Sequence, residues 1–293
     1  MIGDELSKIC KTISDVDLTC YNTFKLHSKA SFMVFPNDIE SLKAVIKVLK
    51  KYKTKWFIIG NGSNIILPDY YDGVIIKLDN FNKYEIQDDL INVGAGVMIN
   101  KLATKLAKMG YKGLDFACGI PGTIGGCIHS NAGSYGSSIS DVLVSATVFD
   151  GNKIIEFSNK DFKFAYRDSI LKNKSNYIVL DAKFKIFKSD KEELEKTIKE
   201  RNTKRRISQD LTHPSNGSVF RNPEGLIAGK MIDDLGMKGY SINDASISTK
   251  HANFIINKGN ANSDDIIKLI KVIKKEVKKH YNVDLILEQE IIK

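Results

Sequence analysis

A glycine-rich segment at residues 119–136 constrains this chain more than any other part of its sequence. Six of its 18 residues are glycine, and isoleucine, proline and cysteine stand between them. Glycine loses more backbone entropy on folding than any other residue. This many glycines therefore indicate that the exposed backbone of the segment has a function. Backbone that approaches a ligand closely can offer its N–H groups to an anion. The apolar residues among the glycines favour a packed ligand-binding loop over an irregular surface loop.

Two shorter glycine turns, at residues 60–64 and 94–96, follow predicted strands. Neither matches the dinucleotide-binding fingerprint, because Ile65 and Ile99 stand where its third glycine belongs. The chain also has no Walker A sequence. A Rossmann or P-loop fold is therefore disfavoured, and the turns indicate a phosphate-bearing ligand held by another fold.

Hydrophobic periodicity predicts helices and strands in mixed order, which indicates an α+β class. The predicted helices are 38–52, capped by Asp38; 99–109; a charged connector at 190–206; and 263–280, capped by Asn262 or Ser263. The predicted strands are 55–59, 73–78, 90–93, the hairpin 142–149 and 153–157 around Asp150-Gly151, 177–187 and 283–292.

Composition narrows the function classes. The chain has 293 residues and a formal net charge of +9, but only five of its 44 basic residues are arginine. Arginine is the preferred residue for bidentate contacts to bases and phosphates, so we expect no nucleic-acid partner. No apolar stretch is long enough to span a membrane and no signal-peptide pattern is present, so we expect a cytoplasmic protein without a membrane contact.

The four cysteines are Cys10, Cys20, Cys118 and Cys127. None of them forms a C-x-x-C pair, so no metal site is predicted and free thiols are expected.

Three segments could carry chemistry. Arg167, beside Tyr166, could clamp a carboxylate or simply pair with Asp168 at the surface, and spacing leaves the two open. Ser218 lies in a turn at 215–223 without the flanking pattern of a hydrolase nucleophile. The acids at 288 and 290 share one face of the predicted last strand, where spacing alone favours an exposed edge over an inward acid.

Taken together, these segments resemble the UDP-N-acetylenolpyruvoylglucosamine reductase (MurB) family, the flavoenzymes of peptidoglycan precursor synthesis. The resemblance extends from about residue 22 to residue 291. It rests on residues 22–24 (Asn-Thr-Phe), 60–64 (Gly-Asn-Gly-Ser-Asn), 119–136, 166–169 (Tyr-Arg-Asp-Ser), 217–223 (Gly-Ser-Val-Phe-Arg-Asn-Pro), 228–232 (Ala-Gly-Lys-Met-Ile), 248–254 (Ser-Thr-Lys-His-Ala-Asn-Phe) and 287–291 (Leu-Glu-Gln-Glu-Ile).

The resemblance implies an FAD-binding domain at 22–190, of the type found in vanillyl-alcohol-oxidase-like (PCMH-type) flavoproteins. Two α+β subdomains would meet near 80–90. An α+β substrate-binding domain would occupy 200–285, and a terminal strand at 286–293 would return to the active site.

The resemblance also implies the chemistry. NADPH reduces FAD, and hydride then passes from flavin N5 to C3 of the enolpyruvyl group of the UDP-sugar substrate. Ser218 would give a proton to C2, while Arg167 and Glu290 would bind or polarise the substrate carboxylate. Tyr166, Asn222, Lys230 and His251 would contact the substrate. The residues that would bind FAD are Gly60, Asn61, Gly62, Ser63, Asn64, Gly119, Ile120, Pro121, Gly122, Thr123, Gly125, Gly126, Asn131, Ala132 and Gly133.

The chain resembles the shorter type of the family, which lacks an inserted loop that places a tyrosine over the substrate diphosphate. Cys118 and Cys127, at the FAD loop, are predicted to be packing thiols. We expect a monomer. The alternatives are another flavin oxidoreductase on the same fold, which should lack the 217–223 motif, and a basic nucleic-acid-binding module, against which the shortage of arginine argues.

Overall fold

Two units, each with its own hydrophobic core, make up the fold. The computed structural model describes residues 1–174 and 176–293. The first unit contains Met1–Ser14, Ser31–Asn61 and Asp72–Asn202, and the second contains Asp15–Ala30, Gly62–Tyr71 and Thr203–Lys293. Both contain helices and strands, so the predicted α+β class is confirmed.

The helices and most strands of the first unit have the following bounds. The helices are α1 (Ile2–Ser7), α2 (Ile39–Tyr52), α3 (Ile99–Lys108), α4 (Ile124–His129), α5 (Ile139–Val142) and α6 (Lys191–Ser208, which crosses into the second unit). The strands are β3 (Trp56–Ile59), β6 (Tyr84–Gln87), β7 (Leu90–Gly94), β8 (Tyr111–Lys112), β9 (Gly133–Ser134), β10 (Ser137–Ser138), β11 (Leu143–Phe149), β12 (Ile154–Ser158), β13 (Ile178–Lys185) and β14 (Phe187–Lys188).

The second unit has two helices and five short strands, and three further strands run from one unit into the other. Its own elements are β4 (Ile65–Ile66), α7 (Ala228–Asp234), β15 (Ser241–Ile242), β16 (Ala245–Ile247), β17 (Ile255–Asn257), α8 (Ser263–Tyr281) and β18 (Glu290–Ile291). The shared strands are β1 (Lys11–Asp17), β2 (Lys29–Phe35) and β5 (Tyr70–Lys77).

Helix α2 shows why the predicted helices form. The Asp38 carboxylate accepts a hydrogen bond from the Ser41 N–H at 2.8 Å, which satisfies one of the donors exposed at the helix start. Its apolar residues recur at helical spacing and are buried on one face, and Lys53 ends the helix in the left-handed conformation. Helix α8 repeats this design, with Asn262 as its N-cap, 2.9 Å from the Asp265 N–H.

Two larger sheets contain most strands of the first unit, and β8-β14 and β9-β10 form two-stranded sheets beside them. One larger sheet has the order β1-β2-β5-β3, in which β3 and β5 are parallel. The other is antiparallel, in the order β12-β11-β13-β7-β6. Because alternate side chains point to one face, Ala146, Ala182 and Val93 form a buried row across its three central strands.

The second unit is built around the antiparallel sheet β15-β16-β17. Its core includes Val219 and Phe220, the two residues that follow Ser218, together with apolar residues of α7 and α8. The site residues of this unit therefore extend directly from its core.

The structure confirms the predicted helices to within two residues, with Asn262 as the cap of the last one. The predicted strand at 283–292 is too long, since only Glu290–Ile291 is regular. Its residues change pairing partner on the way, which breaks a continuous ladder. No helix among the described residues is both long and apolar enough to cross a membrane.

Candidate active site

The loop before helix α4 packs tightly against the turn that follows β7. The N–H groups of Ile124 and Gly125 donate to the carbonyls of Val97 and Ala95, each at 2.9 Å. An added Cβ at Gly125 would lie 3.2 Å from the Ala95 Cβ, and one at Gly122 would lie 2.8 Å from the Cys127 Sγ. Glycine is needed here because a side chain would collide with its neighbours. Part of the glycine density in this loop therefore serves packing.

Thr123 is the N-cap of α4 and also lies against the other glycine turn of the first unit. Its Oγ1 accepts a hydrogen bond from the Gly126 N–H at 3.4 Å, and an added Cβ at Gly60 would lie 2.5 Å from that oxygen. The Asn61 side chain donates to the Pro121 carbonyl at 2.8 Å. The two predicted FAD-binding turns are thus in direct contact at Gly60–Thr123 and Asn61–Pro121.

The turn at 60–64 continues into the second unit, where Gly62 has a φ of +61°. An added Cβ there would come within 2.1 Å of the Tyr21 carbonyl oxygen. Among the described residues, the backbone N–H groups of Asn61 in the first unit, and of Gly62, Ser63 and Asn64 in the second, donate to no protein acceptor. Unpaired N–H groups of this kind bind anions, so these residues fit the diphosphate of FAD.

The residues Asn131 and Gly133 hold the turn that carries Arg167. The buried Asn131 accepts a hydrogen bond from the Ser140 N–H at 3.0 Å and donates to the Ala165 carbonyl at 2.9 Å. The Gly133 carbonyl accepts a hydrogen bond from the Arg167 guanidinium. These predicted FAD-binding residues therefore use polar groups to support Arg167, while Ala132 is bonded through its backbone to Cys127 and Ile139.

The backbone of Arg167 is in the left-handed region, which residues other than glycine rarely adopt. Ala165 and Asp168 exchange two backbone hydrogen bonds of 3.1 Å around Tyr166-Arg167, and Arg167 has a φ of 55°. Its guanidinium lies over the Tyr166 ring, 5.2 Å from the centroid. A non-glycine residue in the left-handed region costs conformational energy, and such strain is concentrated at functional sites. Nine other non-glycine residues of the described chain also have a positive φ, so the carboxylate clamp stays a prediction beside the surface pair.

Ser218 stands on a backbone that is clamped on its C-terminal side. The buried Asn253 side chain accepts from the Phe220 N–H at 3.0 Å and donates to the Phe220 carbonyl at 2.8 Å. The Asn253 carbonyl also accepts from the Val219 N–H at 2.9 Å. The half-buried Ser218 hydroxyl makes no hydrogen bond to any described residue. A fixed hydroxyl without a protein partner can serve a ligand.

The terminal segment connects this Ser218 loop to strand β4 and to Asn64, the residue before it, in the same unit. The Glu288 N–H donates to the Val219 carbonyl, whereas the Glu290 N–H donates to the Asn64 carbonyl, both at 2.9 Å. Strand β18 runs parallel to β4, with Glu290 opposite Ile65. Ser218, Asn64 and Glu290 are therefore joined through backbone contacts in the second unit. Arg167 and Tyr166 belong to the first unit.

The remaining predicted substrate contacts differ in how their polar groups are used. The Asn222 Oδ1 accepts from the Ala228 N–H at 3.0 Å, at the start of α7. Lys230 forms an exposed ion pair with Asp234 at 3.0 Å, and this hydrogen bond raises the pKa of Lys230.

His251 is half-buried, with its ring centroid 4.4 Å from that of Phe254. Its Nδ1 lies 3.3 Å from the Asn253 N–H and accepts from it, so Nε2 carries the hydrogen of the neutral ring. Burial lowers the pKa of His251, and nearby Lys238 lowers it further. His251 is therefore suited to donate a hydrogen bond from Nε2 without carrying a charge.

The cysteines form no disulfide among the described residues. Cys127 is buried, and burial raises its thiol pKa to about 12. Since the thiolate is the reactive form, this side chain behaves as a small apolar group. Cys118 is also buried.

Sequence reasoning missed two side chains that contact the Ser218 loop. They are Asn253 and Gln289. Both are at least 96% buried, with 4% and 3% of their surface exposed. Asn253 lies within a motif that carried the family resemblance, but without its partners its role could not be read. Gln289 stands between the two acids of the last segment, and the alternation of side chains there indicated that it points away from them.

Two family models match the chain. The FAD binding domain model matches residues 30–156. The model of the UDP-N-acetylenolpyruvoylglucosamine reductase C-terminal domain matches residues 209–292.

Relatives and a solved structure match over nearly the whole length. The chain is 38% identical to the UDP-N-acetylenolpyruvoylglucosamine reductase of Bacillus pumilus, over 98% of this chain and 95% of that protein. It is 41% identical to that of Halalkalibacterium halodurans, over 94% and 92%. The crystal structure of the Thermus caldophilus reductase superposes with a TM-score of 0.81 at 29% identity, over 97% and 99% of the two chains. On this likeness the chain belongs to the UDP-N-acetylenolpyruvoylglucosamine reductase (MurB) family of FAD-linked oxidoreductases.

Proposed function

We propose that this chain reduces UDP-N-acetylenolpyruvoylglucosamine to UDP-N-acetylmuramate, with FAD as its cofactor and NADPH as its reductant. The proposal rests mainly on the surroundings of Ser218. Its hydroxyl has no protein partner among the described residues, while the backbone around it is fixed by Asn253 and by the segment that leads to Glu290.

Bound FAD would be held by the 60–64 turn and the 119–126 loop, and it would supply the hydride chemistry that links NADPH to C3 of the enolpyruvyl group. Addition across that double bond also needs a proton at C2, and we assign this proton to the Ser218 hydroxyl. A serine hydroxyl is a weak acid, so it can donate only where the acceptor carbon is strongly basic and the geometry is fixed. The clamped backbone supports the second condition.

Arg167 and Glu290 are assigned to the hydride addition that creates this basic carbon, because they act on the substrate carboxylate. As C3 receives hydride, negative charge builds up at C2 and on the adjacent carboxylate. A planar guanidinium stabilises this charge through paired N–H groups, and Glu290 is assigned to polarise the same carboxylate. The strained turn of Arg167 supports this role, because its guanidinium is held by Gly133 and stacked over Tyr166.

Binding of FAD is assigned to the unpaired N–H groups of the 60–64 turn and to the loop at 119–126. Asn131, Ala132 and Gly133 stay predicted FAD contacts, while the Asn131 side chain and the Gly133 carbonyl also support the turn that carries Arg167. His251 is kept as a neutral donor to the substrate, and Tyr166 and Asn222 as contacts. Lys230 is the weakest of these, because Asp234 already engages its ammonium group.

Absorption spectroscopy of the purified protein tests the proposal. We expect flavin absorbance that NADPH bleaches under anaerobic conditions and that the enolpyruvyl sugar nucleotide restores, with UDP-N-acetylmuramate as product. UDP-N-acetylglucosamine, which lacks the enolpyruvyl group, is the control and should restore nothing.

Two results would contradict the proposal. A colourless protein that cannot be reconstituted with FAD would exclude a flavoenzyme. Bleaching by NADPH without recovery on addition of the enolpyruvyl sugar nucleotide would favour another flavin oxidoreductase on the same fold. The monomeric state and the cytoplasmic location stay predictions, and light scattering of the purified chain tests the first.

A further inference from the structure

We propose that Gln289 is a positioning residue that holds the Ser218 loop through its side-chain amide. The inference rests on the proposed role of Ser218 as proton donor. It concerns a side chain that neither the family resemblance nor the proposed function assigns, and all its contacts lie within the second unit.

The Gln289 Nε2 faces three successive carbonyl groups of the loop. It lies 3.5 Å from the Asn216 oxygen, 3.4 Å from the Gly217 oxygen and 3.3 Å from the Ser218 oxygen. These contacts are long, because two hydrogens are shared among three acceptors. Together they restrain the three consecutive peptide planes on which Ser218 depends.

The part of the loop held by Gln289 is the part that needs restraint. Gly217 has a φ of +72°, and nothing lies within 4 Å of an added Cβ there. Its N–H donates to the Ser215 hydroxyl at 3.2 Å, and Gln289 adds a restraint on its carbonyl side, where the backbone is the most permissive of any residue type. Asn216, by contrast, is anchored by the Thr23 hydroxyl and by a 2.6 Å hydrogen bond to the Ile65 carbonyl.

The orientation of the Gln289 amide is unambiguous. A flipped amide would point its oxygen at three carbonyl oxygens, which repel it. In the orientation observed, the buried Oε1 has no donor among the described residues. An unpaired buried oxygen opposes folding and offsets the weak bonds of the Nε2. The side chain is therefore a poor stabiliser, and its arrangement is better explained by what it does to the loop.

The backbone on both sides of Gln289 makes this contact rigid. Glu288 is bonded to Val219 and Glu290 to Asn64, so the residue between them is anchored on both sides. One short segment thus sets the position of Glu290 by its backbone and that of Ser218 by the side chain of Gln289.

Gln289→Met tests the inference, because methionine has a similar length and shape but no hydrogen-bond donor. We expect flavin reduction by NADPH within twofold of the wild-type rate and reoxidation by the enolpyruvyl sugar nucleotide slowed by about 10-fold, the effect of a misplaced donor. Gln87→Met, which removes the same amide from the exposed strand β6, should change neither rate. Added to Ser218→Ala, Gln289→Met should cause no further loss.

The outcomes separate this inference from the proposed function. If Ser218→Ala slows reoxidation but Gln289→Met does not, the positioning role is wrong and the proton donor stands. If Ser218→Ala reoxidises as fast as the wild type, the proton-donor assignment is wrong. Equal slowing of both half-reactions by Gln289→Met, or an additive loss in the double variant, would show a general structural role and overturn the inference.

Gln289→Glu provides a second readout that a structural role would not move. Burial beside three carbonyl oxygens raises the pKa of the introduced carboxyl, which can donate to the loop only when it is protonated. Reoxidation by this variant should therefore fall as the pH rises through that raised pKa, while the wild type and Gln87→Glu should not show this step. A pH profile that matches the wild type would contradict the inference.

Discussion

At the scale of single residues, the proposed chemistry depends on Arg167 and Ser218. Arg167 occupies a turn position where glycine would be less strained, and Ser218 follows Gly217 in a loop held by buried amides. Both side chains can be exchanged without disturbing a hydrophobic core, so their contributions to activity and to stability can be measured separately.

Replacing Ser218 tests the proton transfer alone. Ser218→Ala should leave flavin reduction by NADPH unchanged and slow reoxidation by the substrate by about 100-fold or more, since only the second half-reaction needs the proton. Stopped-flow absorbance under anaerobic conditions measures both rates. A similar loss in both would show that the hydroxyl is not the donor.

Replacing Arg167 by glycine separates strain from function. Arg167→Gly relieves about 1 kcal/mol of left-handed strain but removes the contact with Tyr166 and the hydrogen bond to the Gly133 carbonyl, so the free energy of unfolding should fall by about 2 kcal/mol at most. Reoxidation should nevertheless fall by about 100-fold, because the charge on the substrate carboxylate loses its partner.

The exposed Lys163 supplies the control for this substitution. It has a φ of 46°, so Lys163→Gly should give the same relief of strain without any kinetic change. Denaturant unfolding and single-turnover kinetics test both variants. A large loss of stability in Arg167→Gly would instead mark Arg167 as a structural residue.

At the scale of elements, the turn at 60–64 depends on how closely backbones approach. Gly62→Ala would strain the left-handed φ and also drive a methyl group into the Tyr21 carbonyl. Gly236→Ala is a matched control, because Gly236 has a φ of +67° with nothing within 4 Å of an added Cβ.

We expect the control to lose about 1 kcal/mol of stability and Gly62→Ala to lose more. Gly62→Ala should also bind FAD at least about 10-fold more weakly, because its N–H group is displaced. Titration of the apoprotein with FAD, followed by flavin fluorescence, measures this. Equal FAD affinity in the two variants would remove the turn from the cofactor site.

The helices and strands also show which structural features could be predicted from the sequence. The helices at 39–52 and 263–281 were predicted nearly to the residue, because capping side chains and apolar spacing are local signals. The last strand was overestimated because its pairing switches from Val219 to Asn64, both distant in sequence. The contacts of Asn253 and Gln289 escaped prediction for the same reason.

At the scale of the whole molecule, the chain enters each unit more than once. Residues 15–30 and 62–71 group with the C-terminal part, whereas the predicted domains at 22–190 and 200–285 are contiguous and stay a prediction. The net charge of +9 can raise the local concentration of anionic ligands without any specific contact.

The effect of removing FAD on thermal stability can be predicted for the whole molecule. A ligand that binds only the folded state stabilises it by about 2.7 kcal/mol at a concentration of 100 times its Kd. The apoprotein should therefore unfold at a lower temperature, and its Tm should rise steadily as FAD is added. Scanning calorimetry measures this, with FMN, which lacks the diphosphate, as the control. A Tm that is independent of FAD would contradict the cofactor assignment.

The sequence by itself determined the class of fold, the helices, the glycine turns and the residue types available for chemistry, because propensity, capping and spacing act between neighbours in the chain. Only the tertiary structure decided that Asn131 and Gly133 support Arg167, that Lys230 is paired and that Gln289 faces the Ser218 loop. Those assignments depend on which carbonyls and N–H groups have already found partners, and the partners come from residues far apart in sequence.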